Sequence, residues 1–276
     1  MKSRIIRLIS LSFLILHVTF FASTAAAQGT DLLSAKRGVI PGGYNFWVYT
    51  PEDYYYTQEA TPLVLFLHGS SLCGHDLNRA LRYGTVAAIK MGLQVPALVI
   101  TPQNPGGSWN PKKLCDVLDW VGENYAYDHN RVYVLGMSLG GYGTLDFVGT
   151  YPERVAAAMA LCGGTTLKDL SRMGEAPLWI IHGTADRAVS IRQSQVVVNR
   201  MKQDGNTERL RFDWLPGASH GALARYFYTS KTYDWLFSHS LADPDRPVNR
   251  LIDINQTDLQ QAYRYIERRQ DQLETE

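Results

Sequence analysis

Gly136-Met137-Ser138-Leu139-Gly140 follows the apolar run Arg131-Val132-Tyr133-Val134-Leu135 and leads into Gly141-Tyr142-Gly143-Thr144-Leu145-Asp146-Phe147. A run apolar at successive positions reads as a strand buried on both faces, and the stretch behind it as a helix whose glycines let it approach a sheet closely. Ser138 therefore stands where a strand turns abruptly into a helix, between two glycines that remove the Cβ atoms such a turn has no room for. This is the pattern of a nucleophile elbow, which holds Oγ above the sheet edge and places a helix N-terminus behind it to face developing negative charge. G-x-S-x-G is also what a glycine-rich corner without chemistry would show, so the reading rests on partners elsewhere.

Working outward, Tyr44 to Thr50, Leu63 to Leu67, Ala97 to Thr101, Ala156 to Cys162, Leu178 to Ile181 and Leu210 to Leu215 read as further strands. Helical stretches are expected at Lys112 to Tyr125, Ser138 to Thr150 and Ile191 to Gln203, with a closing helix from Tyr226 to Ser238. Strands alternating with helices imply an α/β fold with a mostly parallel sheet and helices on both faces, joined by right-handed crossovers. In such a sheet, functional side chains gather at the carboxyl ends of the strands.

A serine hydroxyl of ordinary acidity is a poor nucleophile, so Ser138 needs a base and a group to orient that base. Ile180-Ile181-His182-Gly183-Thr184-Ala185-Asp186 puts a carboxylate just beyond a buried strand, and Leu215-Pro216-Gly217-Ala218-Ser219-His220-Gly221 puts an imidazole just beyond the last one. Asp213 is the rival acid, but it lies within a strand. His68 and His182, each before a glycine at a strand end, read as structural ties between loops; His75, His129 and His239 read as solvated.

Length and composition bound the rest. Residues 1–27 carry Lys2, Arg4 and Arg7, an apolar stretch from Leu8 to Ala22 and then Ala25-Ala26-Ala27, the layout of a signal peptide, with an uncleaved anchor as the alternative. A secreted or periplasmic location follows as an expectation. The about 249 residues beyond it suit one domain over 28–240, with 241–276 a polar appendage holding a short helix from Asp258 to Arg269 capped by Thr257. A formal net charge of +1 without a basic stripe argues against nucleic acid and a charged membrane surface as partners. Of the cysteines Cys73, Cys115 and Cys162, the first two are the preferred disulfide pair, one thiol being left over in any case. No metal or other cofactor is expected, since neither C-x-x-C nor H-E-x-x-H spacing occurs.

The segments Pro62 to Ser70, Thr101-Pro102-Gln103-Asn104, Gly136 to Gly143, Tyr151-Pro152-Glu153, His182 to Asp186 and Gly217 to His220 together resemble the α/β-hydrolase superfamily. Within it they are most similar to compact secreted carboxylesterases, a group with feruloyl and acetyl xylan esterases, polyhydroxybutyrate depolymerases and predicted peptidases. The resemblance spans about Tyr44 to Ser238. It implies an α/β-hydrolase fold, a triad in the chain order Ser138, Asp186, His220, and an oxyanion hole made by the backbone N–H groups of Ser70 and Leu139. Many relatives continue His-Gly-Ser with further glycines, where this chain has Ser71-Leu72-Cys73-Gly74. The segment Gly163 to Ala176 is too short for a large lid.

Trp109 and Tyr142 are candidates for flanking the acyl or alcohol group, with ordinary packing as the alternative for each. An aromatic wall would suit a sugar face or a cinnamoyl ring, so a small-molecule or oligosaccharide ester is the expected substrate. A serine peptidase of the same fold ranks lower because no motif for binding a peptide terminus is present. A non-catalytic binding module ranks lower again, because serine, acid and base are all retained. Oligomeric state is left open.

Overall fold

In the structure, a computed structural model describing residues 32–57 and 60–262, eight strands share one sheet. They are β1 (Leu33–Lys36), β2 (Asn45–Tyr49), β3 (Leu63–Leu67), β4 (Leu98–Gln103), β5 (Val132–Met137), β6 (Ala157–Leu161), β7 (Leu178–Gly183) and β8 (Leu210–Leu215). Their order across the sheet is β1-β2-β4-β3-β5-β6-β7-β8. β1 pairs antiparallel with β2, β2 pairs antiparallel with β4, and all other pairings are parallel. The chain therefore starts at one edge, crosses to the centre and winds outward, so that the ends of β5, β7 and β8 open on the same side.

The apolar runs explain this layering. All five residues of β3 are fully buried, and successive side chains enter opposite cores: Leu63, Leu65 and Leu67 one, Val64 and Phe66 the other. The first core is closed by α3 (Pro111–Asn124), α4 (Leu139–Thr150) and α5 (Arg192–Gln203), through Leu114, Phe147 and Val197 among others. The second is closed by α2 (Thr85–Lys90) and α6 (Ser230–Phe237), through Val86 and Trp235. A one-turn helix, α1 (Tyr54–Thr57), follows β2. The start of α3 is fixed locally: Asn110 Oδ1 accepts from the Lys113 N–H at 3.1 Å and Pro111 occupies the first helical position.

Several expectations are corrected. The closing helix is two pieces, a 3₁₀ stretch over Gly221–Tyr228 and then α6. The segment after residue 240 is no appendage. Val248, Ile254 and Ala262 are buried in the second core, Arg250 donates to the Leu210 carbonyl at 2.8 Å, and Arg211 reaches the Ile252 carbonyl at 2.6 Å and Asp253 at 3.0 Å. Its helix begins at residue 256 and is capped by Asn255, not Thr257. Asn255 Oδ1 accepts from the Asp258 N–H at 3.0 Å while Asp258 returns a bond to the Asn255 N–H at 2.9 Å, a reciprocal capping box. The rest of the expected helix, from 263 to Arg269, and the signal-peptide reading lie outside the described residues. Among the described residues no helix is long and apolar enough to cross a membrane.

All three cysteines are free. Cys115 sits in the body of α3 with Arg154 Nη1 3.5 Å from its sulfur, so it is engaged with a cation rather than paired with Cys73. His239 is buried, not solvated. It accepts the Asn249 N–H at 2.9 Å through Nε2 and bonds the Trp235 carbonyl at 2.8 Å through Nδ1, which ties α6 to the segment that follows it.

Candidate active site

Ser138 caps α4 with φ 60° and ψ −121°, one of four non-glycine residues with positive φ among those described. Such a conformation costs on the order of 1–3 kcal/mol and persists only where packing imposes it. Here the packing is visible. A Cβ on Gly136 would lie 2.5 Å from the Gly140 carbonyl, and one on Gly140 would lie 1.8 Å from the Leu67 carbonyl. The Ser138 N–H is taken by the Leu161 carbonyl at 2.9 Å, which pins the elbow to the end of β6.

Beyond β7 and β8, two and three strands away, Asp186 Oδ2 and His220 Nδ1 lie 2.7 Å apart. The carboxylate can only accept, so Nδ1 carries the proton and Nε2 presents its lone pair. The other oxygen of Asp186 accepts the N–H groups of Ala188 and Val189, each at 2.9 Å. Burial alone would raise the Asp186 pKa; the bonds from Val189, His220 and Ala188 outweigh it and hold the carboxyl below its ordinary value. Asp213, the rival acid, is committed elsewhere: its Oδ2 accepts from Trp179 Nε1 at 2.6 Å and from Arg211 Nε at 3.3 Å.

Two neighbours of Asp186 were not singled out from sequence as parts of the site. His182, fully buried, sets Nε2 3.3 Å from Asp186 Oδ2 and 3.0 Å from the Val189 carbonyl, with Nδ1 2.7 Å from the Ser194 hydroxyl. Nε2 faces only oxygens and so carries a proton. Its position four residues before Asp186, on the same strand end, was the available signal. Cys162, buried at φ 40° just past β6, offers a sulfur that lies with Asp186 and His220 in a cluster of potential ligand atoms all within 4.8 Å of one another. Burial pushes its thiol well up, so it stays protonated.

The loop after β3 runs against the elbow. A Cβ on Gly69 would lie 3.3 Å from the Met137 carbonyl and 3.4 Å from Ser138 Cβ. Ser70 opens a 3₁₀ turn over Ser70–Leu72 and Leu139 opens α4, so both N–H groups are at positions a helix leaves without an internal acceptor. The loop is anchored by His68, whose Nε2 accepts the Asn104 N–H at 3.1 Å while Nδ1 donates to the Gly69 carbonyl at 2.9 Å.

Burial drives the His68 pKa down to about 4. The unfolded chain then binds a proton that the fold refuses. The stability this histidine contributes is complete above pH 6.5 and is lost as pH falls toward 4, about 3 kcal/mol in all. His182 and His239, also lowered by burial, act in the same direction. Urea unfolding at pH 7, 5.5 and 4.5 should therefore show a falling midpoint, and a flat series would contradict the neutral assignment.

Trp109 does not form an open wall. It is 3% exposed, donates from Nε1 to the His68 carbonyl at 3.2 Å, and packs edge-on against Tyr44 and His68. Gly143 is what makes room for it, since a Cβ there would lie 2.6 Å from the indole. Tyr142 is half-buried against Gly164 and Gln193. The segment from Gly163 to Ala176 is held down by the buried Asp146, which accepts from both Thr165 Oγ1 and Thr166 Oγ1 at 2.6 Å, and no large lid is formed.

Comparison with known proteins places this arrangement. The pattern of the Dienelactone hydrolase family matches residues 110–234, the stretch that contains Ser138, Asp186 and His220. Among curated proteins no sequence relative is found. Among solved structures, a thermostable esterase is similar with a TM-score of 0.62 and 26% identity over 76% of this chain, which spans 64% of that esterase's length. An acetyl xylan esterase from Aspergillus awamori superposes with a TM-score of 0.54 and 16% identity, over 68% of this chain and 93% of that one. The feruloyl esterase module from Clostridium thermocellum complexed with sinapinate gives 0.53 and 17%, over 81% and 90%. By strand order, elbow and family pattern together, the chain has an α/β-hydrolase fold.

Proposed function

We propose that this chain is a secreted serine hydrolase that cleaves carboxylic esters through an acyl-enzyme on Ser138. What supports the proposal is a strained serine at the end of β5 together with an imidazole beyond β8, His220, that a carboxylate holds by its Nδ1. His220 Nε2 takes the proton of Ser138 as Oγ adds to the acyl carbon, and Asp186 holds the tautomer and stabilises the imidazolium. The N–H groups of Ser70 and Leu139 receive the oxyanion. The protonated His220 gives its proton to the leaving alcohol, and water activated by the same imidazole releases the acid.

Acyl groups borne on carbohydrate, of acetyl or feruloyl type, are the proposed substrates. The likeness to structures of acetyl xylan and feruloyl esterases supports this choice. Hydrolysis of acetyl xylan, methyl ferulate and short nitrophenyl esters, with fluorophosphonate labelling of Ser138, tests the reading. Activity confined to peptides would replace it with the peptidase alternative, and failure of the label would remove the nucleophile.

The two acids separate cleanly. Asp186→Asn keeps the shape but reverses the preferred tautomer of His220, and kcat should fall by about 10⁴. Asp213→Asn should leave kcat within about twofold while lowering stability by about 1 kcal/mol through weaker bonds to Trp179 and Arg211. Steady-state rates on a nitrophenyl ester decide between them.

A further inference from the structure

We infer that the hydroxyl of Tyr83 is a third donor to the oxyanion, beside the N–H groups of Ser70 and Leu139. The inference rests on the ester-hydrolase reading above and extends it to a residue 55 positions before the nucleophile, in a segment with no strand or helix pattern of its own.

The geometry begins at Gly69. Its N–H does not face the cleft, because it is committed to Tyr83 Oη at 2.5 Å. The loop after β3 therefore offers the Ser70 N–H but not that of Gly69, where a glycine-rich continuation could bring more. In its place it brings a phenol. A Cβ built on Gly69 would touch both Tyr83 Oη, at 2.7 Å, and Ser138 Cβ, at 3.4 Å, so the hydroxyl and the Ser138 Cβ are separated by no more than those two distances laid end to end.

The ring is held in place. It stacks on Phe227 with centroids 6.2 Å apart and planes at 24°, and meets Phe66 edge-on at 6.0 Å. Phe66 belongs to the strand that carries the oxyanion loop, and Phe227 to the 3₁₀ stretch that begins right after His220. The tyrosine is thus fixed by the two elements that frame the reacting centre.

Counting protons gives the direction. Tyr83 Oη accepts from Gly69, and its own proton has no acceptor within bonding distance among the described residues. An O–H that already accepts an N–H is polarised toward donating. As Ser138 Oγ forms its bond to the acyl carbon, the carbonyl π pair moves onto oxygen, and Tyr83 donates a hydrogen bond to that charge. When the tetrahedral centre collapses, the pair returns to the carbon–oxygen bond and the leaving group departs with the proton from His220. Tyr83 itself exchanges no proton. Burial pushes its pKa up to about 12, so it remains a phenol throughout the working range.

Tyr83→Phe removes the donor and keeps the ring. With 4-nitrophenyl acetate, kcat should fall by about 10²- to 10³-fold with KM changed by less than about threefold, because the bond is made only when charge develops. Affinity for a trifluoromethyl ketone, which forms a charged tetrahedral adduct on Ser138, should fall in parallel. The phenol also ties the loop through Gly69, so a second measurement isolates donation: 3,5-difluorotyrosine placed at position 83, whose hydroxyl ionises at lower pH. A phenolate still accepts the Gly69 N–H but donates nothing. The alkaline limb of kcat should move to lower pH in that variant alone.

Unchanged kcat in Tyr83→Phe, or an alkaline limb that stays put in the fluorinated protein, overturns the assignment. Fluorophosphonate labelling of the wild type keeps the levels apart: if Ser138 is labelled and turns over ester, only the role of Tyr83 has failed; if it is not, the hydrolase reading itself has.

Discussion

Alanine at position 138 should reduce kcat by about 10⁶ while leaving the protein folded. The magnitude follows from the division of labour in the site. In the proposed mechanism His220 and Asp186 act only through the Ser138 hydroxyl, so without it the Asp186–His220 pair at 2.7 Å has no proton to take. What survives is the slower attack of water in a cleft that still offers oxyanion donors. Stability should change by less than about 1 kcal/mol, because alanine accepts the same backbone, the Ser138 N–H keeps the Leu161 carbonyl, and no core volume is lost. Thermal unfolding and burst titration on one sample provide both numbers. A residual rate within a hundredfold of wild type would mean that another group attacks.

Gly140→Ala should do the reverse, acting on the fold before the chemistry. The new Cβ would lie 1.8 Å from the Leu67 carbonyl oxygen, 2.6 Å from its carbon and 3.0 Å from the His68 carbonyl. All three are backbone atoms at the end of β3, whose register with β5 is set at five consecutive positions from Leu63 to Leu67. A flexible side chain could swing aside; a strand inside a sheet cannot. The helix must lift off the sheet, which opens the first core along α4 and should cost more than about 4 kcal/mol. Gly221→Ala is the control, since a Cβ there meets nothing within 4 Å, and its urea midpoint should stay near wild type. A Gly140→Ala protein with the wild-type midpoint would show that the elbow is not packed as described.

The features legible in the sequence were those written in runs. The burial of Leu63–Leu67 followed from an unbroken apolar stretch, and the Asp186–His220 pair from where two strands had to end. Features made by single residues meeting across long separations were not legible. Leu33–Lys36 is a half-exposed edge strand whose mixed residues carry no alternation. Val248, Ile254 and Ala262 are isolated apolar residues in a polar stretch, and only the structure shows that they share one core. Trp109 looked available because it follows a strand end, yet the missing Cβ of Gly143, 34 residues on, provides the slot that takes its ring out of the cleft. Cys115 looked like a disulfide partner until α3 turned its sulfur toward Arg154.

The clasp formed by residues 248–262 on β8 has a consequence for how the protein comes into being. Arg211, stacked 3.6 Å from the Trp179 ring centroid, finds the Ile252 carbonyl and Asp253 only after the chain has grown 41 and 42 residues further. A polypeptide emerging from the ribosome N-terminus first can pair β3, β4 and β5 early, but its last two parallel strands must wait for a segment that is still inside the exit tunnel. The edge of the sheet that carries His220 is thereby tied to residues made some forty positions after β8, and the imidazole that would make Ser138 reactive gains its final support only once residues 248–262 have been released.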